Sequence, residues 1–478
     1  MKIITDQQKL QLEFVFGIFI LLGICFTYFL LLNNITFAYH PVWSDEFFYY
    51  INAYSFVENN TLKAALTYSG EGSVLFGADA HGFGYPLLHG SIAKIFGWHN
   101  LNFVITNVVF LASSIFMIWC IKSITFIQKL WISVYILLFP FFSLYAFTYM
   151  QEILHILIAI ILSVCIYLIY NKEKNIVYIG LFVLTIFIAG VFRGLWLFWL
   201  IGLIPLAKDK KQMILYFLLL GFGIITSLVF TKLLTEPVPN YFSSLMDLLK
   251  NGEIKKMSLS VFNNFFKNVQ SYFFSIQNGI VYFFMKIATI GAVLFFTFIA
   301  FRTKSKLNIS LALIGLSNFF LLFLLYDAYD WREIRTMSPL FYFYILFIVL
   351  ETKGFVKYIQ IGCLVLIFAF NIKTSKQWIA ERNVIDLVTT KKERMVYNDI
   401  SKKIVAPSVV LVDYQPNDYT WDLLNLPVKN SNNQPIRYIV QYYDVNKTKY
   451  DYILKRPNID TLSNKIIDTE YYVLMKNE

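Results

Sequence analysis

Two adjacent carboxylates, Asp45 and Glu46, follow the first apolar segment and are the residues best suited to chemistry. Carboxylates near lipid are costly unless they are solvated, paired or used in a reaction. A carboxylate held at the interface could accept a proton from a hydroxyl group, which is general-base catalysis. Neighbouring side chains on a helix point about 100° apart, so the two would have different tasks. The alternative is that both are solvated residues at a helix N-terminus.

Other polar residues occur at the ends of later apolar segments. Glu152 and His155 are one helical turn apart, a spacing found in metal sites, although such sites usually need a third ligand. Arg193 could bind a phosphate or extend to the interface. Arg332 and Arg335 carry guanidinium groups that match phosphate oxygens, but they could instead pair with acidic neighbours.

The loop after the acidic pair contributes His81 and an aromatic-rich segment. Substrate could reach His81, which could also be an ordinary surface histidine. Trp43 and Tyr50 could stack on a sugar ring, although Tyr and Trp near span ends commonly anchor a protein at the interface. The four cysteines lie in apolar runs without paired spacing, so neither a disulfide framework nor a zinc site is indicated.

The composition requires most of the chain to lie in lipid. Of its 478 residues, 58% are hydrophobic and only 15% are charged, and the mean hydropathy is +0.58. About eleven apolar runs are long enough to cross ~30 Å of hydrocarbon. The first run is followed by further spans and has no small-residue cleavage site, so we interpret it as a retained helix.

The net charge of +11 is distributed in short clusters at alternate turns. The clusters are Lys2 and Lys9, Lys122 and Lys129, Lys172 and Lys174, Lys208 with Lys210 and Lys211, Arg302 with Lys304 and Lys306, and Lys353 with Lys357. This pattern follows the positive-inside rule and argues against a nucleic-acid partner. It predicts a plasma (inner) membrane protein with a cytoplasmic N-terminus and, after an odd number of spans, an extracytoplasmic C-terminal tail.

Three polar stretches face the outer side and could converge on one site. They cover residues 33–100, 235–277 and 326–336. Within the first stretch, residues 46–59 and 85–96 have apolar spacing that predicts helices along the membrane surface.

The composition changes to that of a soluble domain after residue 372. A helix is predicted over residues 376–404, followed by short strands at 409–412, 436–443, 452–454 and 471–475. The predicted fold is therefore an all-α polytopic membrane domain over residues 1–372, with a small extracytoplasmic α/β domain over residues 373–478.

Four short motifs occur in order along the membrane part of the chain. They are DE before an aromatic-rich helix at residues 45–50, HGFGYPL at 81–87, YMQE at 149–152, and WREIR at 331–335 with SP at 338–339. Their order and common sidedness resemble the GT-C superfamily of polyprenyl-phosphate-sugar-dependent glycosyltransferases. This superfamily includes protein O-mannosyltransferases and lipid A aminoarabinose transferases.

The resemblance implies a polyprenyl-phosphate sugar donor in the membrane lipid and an acceptor on a cell-envelope glycan, lipid or protein, with lipopolysaccharide as one example. Asp45 would be the catalytic base, and Glu46 would lie beside it in the acceptor or donor pocket. The implied phosphate-binding residues are Arg335, Arg332 and Arg193. The predicted substrate-binding residues are Glu152, His81 and Tyr50. The motifs indicate no particular cofactor, and a divalent metal is compatible with them.

Two other classes of function stay open at this point. A transporter or flippase for a lipid-linked glycan would need charged residues within its spans and often has internal repeats. An O-antigen polymerase or ligase would use similar arginines but usually has a large outer loop late in the chain. The position of Asp45 directly after the first span favours the glycosyltransferase.

Overall fold

The membrane part is a bundle of apolar helices. A computed structural model describes residues 6–37, 39–171, 176–238, 241–274, 279–326, 334–383, 399–404, 407–412, 426–440, 450–455, 465–468 and 472–476. Seven of the helices in these ranges are long and apolar enough to cross a membrane. They are α1 (Asp6–Asn33), α4 (Asn102–Trp119), α7 (Glu152–Asn171), α9 (Lys210–Leu234), α12 (Gly279–Thr303), α13 (Lys306–Leu325) and α15 (Phe355–Asn383).

Four further apolar helices complete the bundle. They are α5 (Phe126–Leu138), α8 (Ile176–Phe192), α14 (Ile334–Glu351) and a 3-10 helix over Gly194–Leu206. Two of them have only 13 residues, which is short for a full span of about 20 residues. The sequence prediction of about eleven spans therefore compares with seven helices that satisfy both length and composition. The chain is a multi-pass membrane protein.

Burial separates central helices from those that face lipid. The side chains of α14 from Tyr342 to Leu346 are fully buried, and α7 is buried around most of its circumference. By contrast, more than 60% of the surface of Phe19 on α1 and of Phe298 on α12 is exposed. A helix that is apolar all round is suited to either environment, because lipid and protein interior both accept apolar side chains.

Five further helices lie between the bundle helices in sequence. The first outer stretch forms α2 (Ser44–Asn59) and α3 (Gly84–Phe96), as its apolar spacing predicted. The short helix α6 (Pro140–Tyr145) precedes α7, and α10 (Tyr241–Lys250) and α11 (Ile254–Phe274) follow α9. The amide groups of Asn264 and Asn268 on α11 donate to the last carbonyl oxygens of α13 and to that of Tyr326, which holds α11 across the end of α13.

The C-terminal region contains a mixed sheet. Its strands are β2 (Ser408–Val412), β3 (Ile436–Val440), β4 (Tyr452–Lys455), β5 (Lys465–Asp468) and β6 (Val473–Lys476). With the edge strand β1 (Leu66–Thr67), the strand order is β1-β3-β2-β4-β6-β5. The first four strands in this order pair in parallel and the last three pair antiparallel. β5 was not predicted from the sequence. The predicted positions 441–443 and 471, and most of the predicted helix beyond α15, fall outside the described residues.

The edge strand β1 (Leu66–Thr67) comes from the first outer stretch, far from the others in sequence. Leu66 pairs with Tyr438 of β3, and the Tyr438 backbone N–H donates to the carbonyl of Ala65. The boundary expected at residue 372 falls inside α15, which is continuous to Asn383. The C-terminal sheet is thus joined to the membrane part through both α15 and the loop that carries His81.

Candidate active site

The start of α2 brings Asp45 to the centre of a charged cluster. Arg335, at the start of α14, places Nη2 2.9 Å from Asp45 Oδ2, and His81 places Nε2 3.6 Å from Asp45 Oδ1. About a fifth of the surface of each of the three side chains is exposed. Burial alone would raise the pKa of Asp45, but the hydrogen bond from His81 and the charge of Arg335 outweigh it and hold that pKa well below its ordinary value.

A tight turn positions His81. The backbone N–H of His81 donates to Asp79 Oδ1 at 2.8 Å, and the N–H of Gly82 donates to the Asp79 carbonyl at 3.1 Å. Gly82 has φ +81°, which favours glycine over residues with a side chain. The Asp79 carboxylate also accepts a hydrogen bond from the side-chain amide of Asn52 on α2. The turn is therefore tied to the same helix that carries Asp45.

The two carboxylates around His81 affect its titration. Burial lowers the pKa of His81, but the hydrogen bond to Asp45 and the charges of Asp45 and Asp79 raise it above its ordinary value. Burial raises the pKa of Asp79 to about 6, against the lowering effect of the His81 charge and hydrogen bonds. No sequence pattern pointed to Asp79, although it lies only two residues before the first motif residue of that loop.

A second ion pair lies close to the first. Glu152 begins α7, and its Oε1 is 3.5 Å from Nη2 of Arg193, which precedes the 3-10 helix. Glu152 is almost fully buried, and its Oε2 has no hydrogen-bond partner among the described residues. A buried carboxylate oxygen normally accepts at least one hydrogen bond. Glu152 Oε2 is therefore suited to accept one from a hydroxyl group that enters the site.

Tyr49 connects the two ion pairs. Its ring is buried on α2, edge-on to Tyr85 at 4.7 Å between centroids. Burial raises the pKa of Tyr49, Asp45 and Glu152 raise it further, and the two arginines of the cluster lower it. The charges of both pairs thus reach the same hydroxyl group. The structure brings five of the eight predicted site residues together, namely Asp45, His81, Glu152, Arg193 and Arg335.

Glu46 lies in a different environment from the one predicted for it. Its side chain is fully buried and pairs with the fully buried Arg382 at the end of α15, which donates to both carboxylate oxygens at 2.8 and 2.9 Å. The backbone N–H groups of Val42 and Trp43 donate to Oε2, and that of Tyr149 donates to Oε1. These bonds leave no access for substrate. Glu46 therefore holds the N-terminus of α2 in place, in contrast to the predicted role beside the reacting groups.

Tyr50 also departs from its predicted role. Its side chain is buried, and its hydroxyl donates to Asn100 Oδ1 at 2.6 Å. The ring packs against Trp98, Phe103 and Tyr149. It is part of the aromatic packing between α2 and α4, where a sugar cannot stack on it. Arg332, the remaining predicted residue, lies outside the described residues.

Two buried charged residues that support the site were not predicted. Arg382 was included only in a predicted helix, because its partner Glu46 is 336 residues away in the sequence. Glu236, in the second outer stretch, accepts hydrogen bonds from the backbone N–H groups of Tyr68 and Ser69, and its own N–H donates to the Asp79 carbonyl. The first and second outer stretches therefore meet beside the site. Within the described residues, no group of three or more His, Cys, Asp or Glu side chains could hold a metal ion.

The fold of this chain is similar to the folds of several solved membrane proteins. Two structures of ArnT from Cupriavidus metallidurans, in the apo state and bound to undecaprenyl phosphate, align over 96% of this chain and 97% of theirs. Their TM-scores are both 0.53, at 10% and 9% sequence identity. The Archaeoglobus fulgidus oligosaccharyltransferase in complex with Zn and sulfate aligns over 86% of this chain with 11% identity and a TM-score of 0.49. This chain spans 62% of the length of that oligosaccharyltransferase.

The likeness is one of fold. No family model and no curated protein matches the sequence, and identities near 10% are too low to transfer an activity. The predicted helical membrane domain with a small C-terminal strand region is confirmed by the structure and by its alignment with ArnT over nearly the whole of both chains. The chain therefore has the fold of these ArnT structures.

Proposed function

We propose that the chain is a membrane glycosyltransferase that transfers a monosaccharide from a polyprenyl-phosphate donor to a hydroxyl of a cell-envelope acceptor. The reaction would take place on the outer face of the plasma (inner) membrane, with the N-terminus in the cytoplasm. The observation that carries the proposal is the partly exposed pair of Asp45 with Arg335, which puts a carboxylate base beside a phosphate-binding cation. The fold of an ArnT bound to undecaprenyl phosphate supports a lipid-phosphate donor.

Arg335 would bind the phosphate of the donor. Its guanidinium group is held at the start of α14 with about a fifth of its surface exposed. Guanidinium donors match phosphate oxygens in geometry and charge. Arg335 would stabilise the negative charge that develops on the departing polyprenyl phosphate. Arg193, 3.5 Å from Glu152, would add positive charge on the same side of the site.

Asp45 would act as the base. The acceptor hydroxyl gives its proton to Asp45, its oxygen forms a bond to the anomeric carbon, and the bond from that carbon to the phosphate oxygen breaks with inversion. A carboxylate with a strongly lowered pKa is a weak base. When the donor phosphate binds Arg335 in place of Asp45, Asp45 loses one partner. Its pKa then rises, and the carboxylate becomes a stronger base. The pair would thus be a resting arrangement that the donor converts into the active one.

His81 and Glu46 would position Asp45 from either side. His81 contacts Asp45 Oδ1 and is fixed by the turn at Asp79, so it orients the carboxylate after Arg335 has moved. Glu46 anchors the first turn of α2 to Arg382 and to the backbone of Tyr149. Glu152 Oε2 would accept a hydrogen bond from a hydroxyl of the sugar or the acceptor.

Replacement of Asp45 by Asn tests the proposal. Loss of a general base typically lowers the rate by about 10² to 10⁴-fold, while the folded protein should persist because the site is partly solvated. A strain that lacks the protein would be complemented with wild type, Asp45→Asn or the matched control Asp247→Asn, whose carboxylate is exposed on α10. Mass spectrometry of the cell-surface glycans should show one sugar missing with Asp45→Asn and restored with the control.

The same experiment separates the other classes of function. Near-normal glycans in cells with Asp45→Asn, at normal protein levels, would contradict the assignment. Loss of all glycan export in the deletion strain would instead indicate a transporter or flippase. Accumulation of single unlinked repeat units would indicate a polymerase or ligase.

A further inference from the structure

A cavity lies between α12, α14 and α15, away from the charged cluster. Its volume is about 570 Å³. Most of its lining is apolar and includes Phe284 and Ile287 of α12, Phe341 and Ile348 of α14, and Ile359 of α15. The charged residues of the lining lie at one end, where Glu351, Thr352 and Lys353 follow one another in the sequence, and the hydrogen-bonded side chains of Tyr135 and Gln360 are its other strongly polar groups. The cavity is therefore amphipathic, with a long apolar part and a charged end.

The depth of the cavity corresponds to one leaflet. Phe341 and Glu351 are ten residues apart on α14, which is about 15 Å along a helix. This is half of the ~30 Å hydrocarbon thickness of a bilayer. Arg335 lies at the opposite end of the same helix, sixteen residues from Glu351, or about 24 Å. The polar end thus belongs to the leaflet opposite the charged cluster, too far away to share a phosphate with Arg335.

The cavity is open towards the side of the bundle. Three of its lining residues, Ile287, Val356 and Ile359, are each about half exposed. In a membrane such side chains face lipid, so a hydrocarbon chain can enter between the helices without crossing a polar barrier. An apolar cavity of this size also favours a hydrocarbon chain over water.

The charged end indicates the class of headgroup. Glu351 supplies a carboxylate and Lys353 an ammonium group two residues later. A headgroup with both a phosphate and a primary ammonium group offers the complementary charges, phosphate to Lys353 and ammonium to Glu351. A headgroup whose only charged group is a phosphate would place its negative charge near the Glu351 carboxylate, and the two would repel each other.

We propose that this cavity binds an acyl chain of a glycerophospholipid with an ethanolamine headgroup, taken from the leaflet opposite the candidate active site. Such a lipid would fill the space between α12 and α15 and brace α14, the helix that carries Arg335 at its other end. The site is independent of the proposed transfer reaction and would exist in a protein of another activity with the same fold.

The structure offers a matched pair of variants to test the site. A Cβ added at Gly291, which lines the cavity, meets no atom within 4 Å. Gly291→Leu has room for its Cβ and should place an apolar side chain in the path of an acyl chain. A Cβ added at Gly362 on α15 also meets nothing within 4 Å, and Gly362 does not line the cavity. Gly362→Leu is thus a control for added apolar bulk on a lipid-facing helix.

The measurement is native mass spectrometry of the delipidated full-length protein with defined amounts of phosphatidylethanolamine or phosphatidylglycerol. We expect phosphatidylethanolamine adducts on wild type and Gly362→Leu and at least a five-fold loss on Gly291→Leu. Lys353→Met and Glu351→Gln should each remove the preference for phosphatidylethanolamine. Unchanged adducts on Gly291→Leu would overturn the site, and equal retention of both lipids by wild type would overturn the headgroup assignment.

Chemical labelling gives a second readout. Cys363 lines the cavity, whereas Cys25 is exposed on α1 outside it. In variants that retain only one of these two cysteines, phosphatidylethanolamine should slow maleimide modification of Cys363 several-fold and leave Cys25 unchanged. Equal protection of both thiols would show that the lipid only coats the protein, which contradicts the proposal.

Discussion

Asp45 and Glu46 are adjacent in the sequence, and each pairs with an arginine from the end of a different bundle helix. The pair of Asp45 with Arg335 keeps about a fifth of each side chain exposed, whereas the pair of Glu46 with Arg382 has no exposed surface. An exposed pair can exchange one partner for a ligand, because water and the ligand replace the lost contacts. A buried pair cannot, since the remaining charge would be left without a partner. Solvent access thus separates a reactive carboxylate from a structural one.

The largest effect should come from breaking the buried pair. Arg382→Met leaves the Glu46 carboxylate in the interior with backbone donors only, which typically costs about 3–5 kcal/mol. We expect a large loss of thermal stability in detergent and low yield. The double variant Glu46→Gln with Arg382→Met removes both charges and should recover part of the loss. If Arg382→Met were as stable as wild type, the contrast between the two pairs would not hold.

A change at the exposed pair should affect activity and leave stability nearly unchanged. Arg335→Lys retains the charge but loses the planar donor geometry for phosphate. We expect a loss of roughly 10² to 10³-fold in transfer, the scale seen when one donor to a developing charge is removed. The free energy of unfolding should change by less than about 1 kcal/mol, as for most partly exposed ion pairs. Activity measured beside unfolding temperature separates the two effects.

The pH dependence of stability should come from His81 and Asp79. Both have a raised pKa in the folded protein, so each contributes stability at low pH that is lost as the pH rises through the folded value. Asp79 makes its full contribution to the stability of the folded protein below about pH 3.8 and loses it around pH 6. His81 loses its contribution above pH 6.5. Asp45, whose pKa is lowered, stays ionised throughout this range. Unfolding temperatures should therefore fall between pH 5 and 8, and less so in His81→Asn.

The smallest effect concerns Tyr50. Tyr50→Phe removes one hydrogen bond to Asn100 and keeps the ring packing. A typical loss is about 1 kcal/mol of stability, with transfer activity unchanged. A large fall in activity at normal stability would instead show that the hydroxyl contacts substrate, and the predicted role in substrate binding would be restored.

The sequence was most informative where the signal is local. Apolar length predicted the helical bundle, apolar spacing predicted the helices α2 and α3, and a short motif pointed to the acidic residue that begins α7. It was least informative where partners are distant. No sequence neighbour of Glu46 distinguishes it from Asp45, because the arginine that pairs with Glu46 in the interior belongs to a helix more than 300 residues later.

The same limit applies to the sheet. β1 has only two residues, too few for a recognisable alternation of apolar and polar positions. Its assignment depends on pairing with β3 in the C-terminal region. Asp79 was missed for a related reason, because its importance arises from the turn that it forms with His81 and from the amide of Asn52.

The pairing of Leu66 with Tyr438 has a consequence for biosynthesis. The ribosome completes the first outer loop long before it reaches β3, so β1 has no partner strand during most of translation. Contacts at such large sequence separation form late, since a long loop must close first. A chain that ends between α15 and β3, before Ile436, would insert its helices but leave this edge unpaired. Proteases that survey the membrane surface could then distinguish unfinished chains from complete ones.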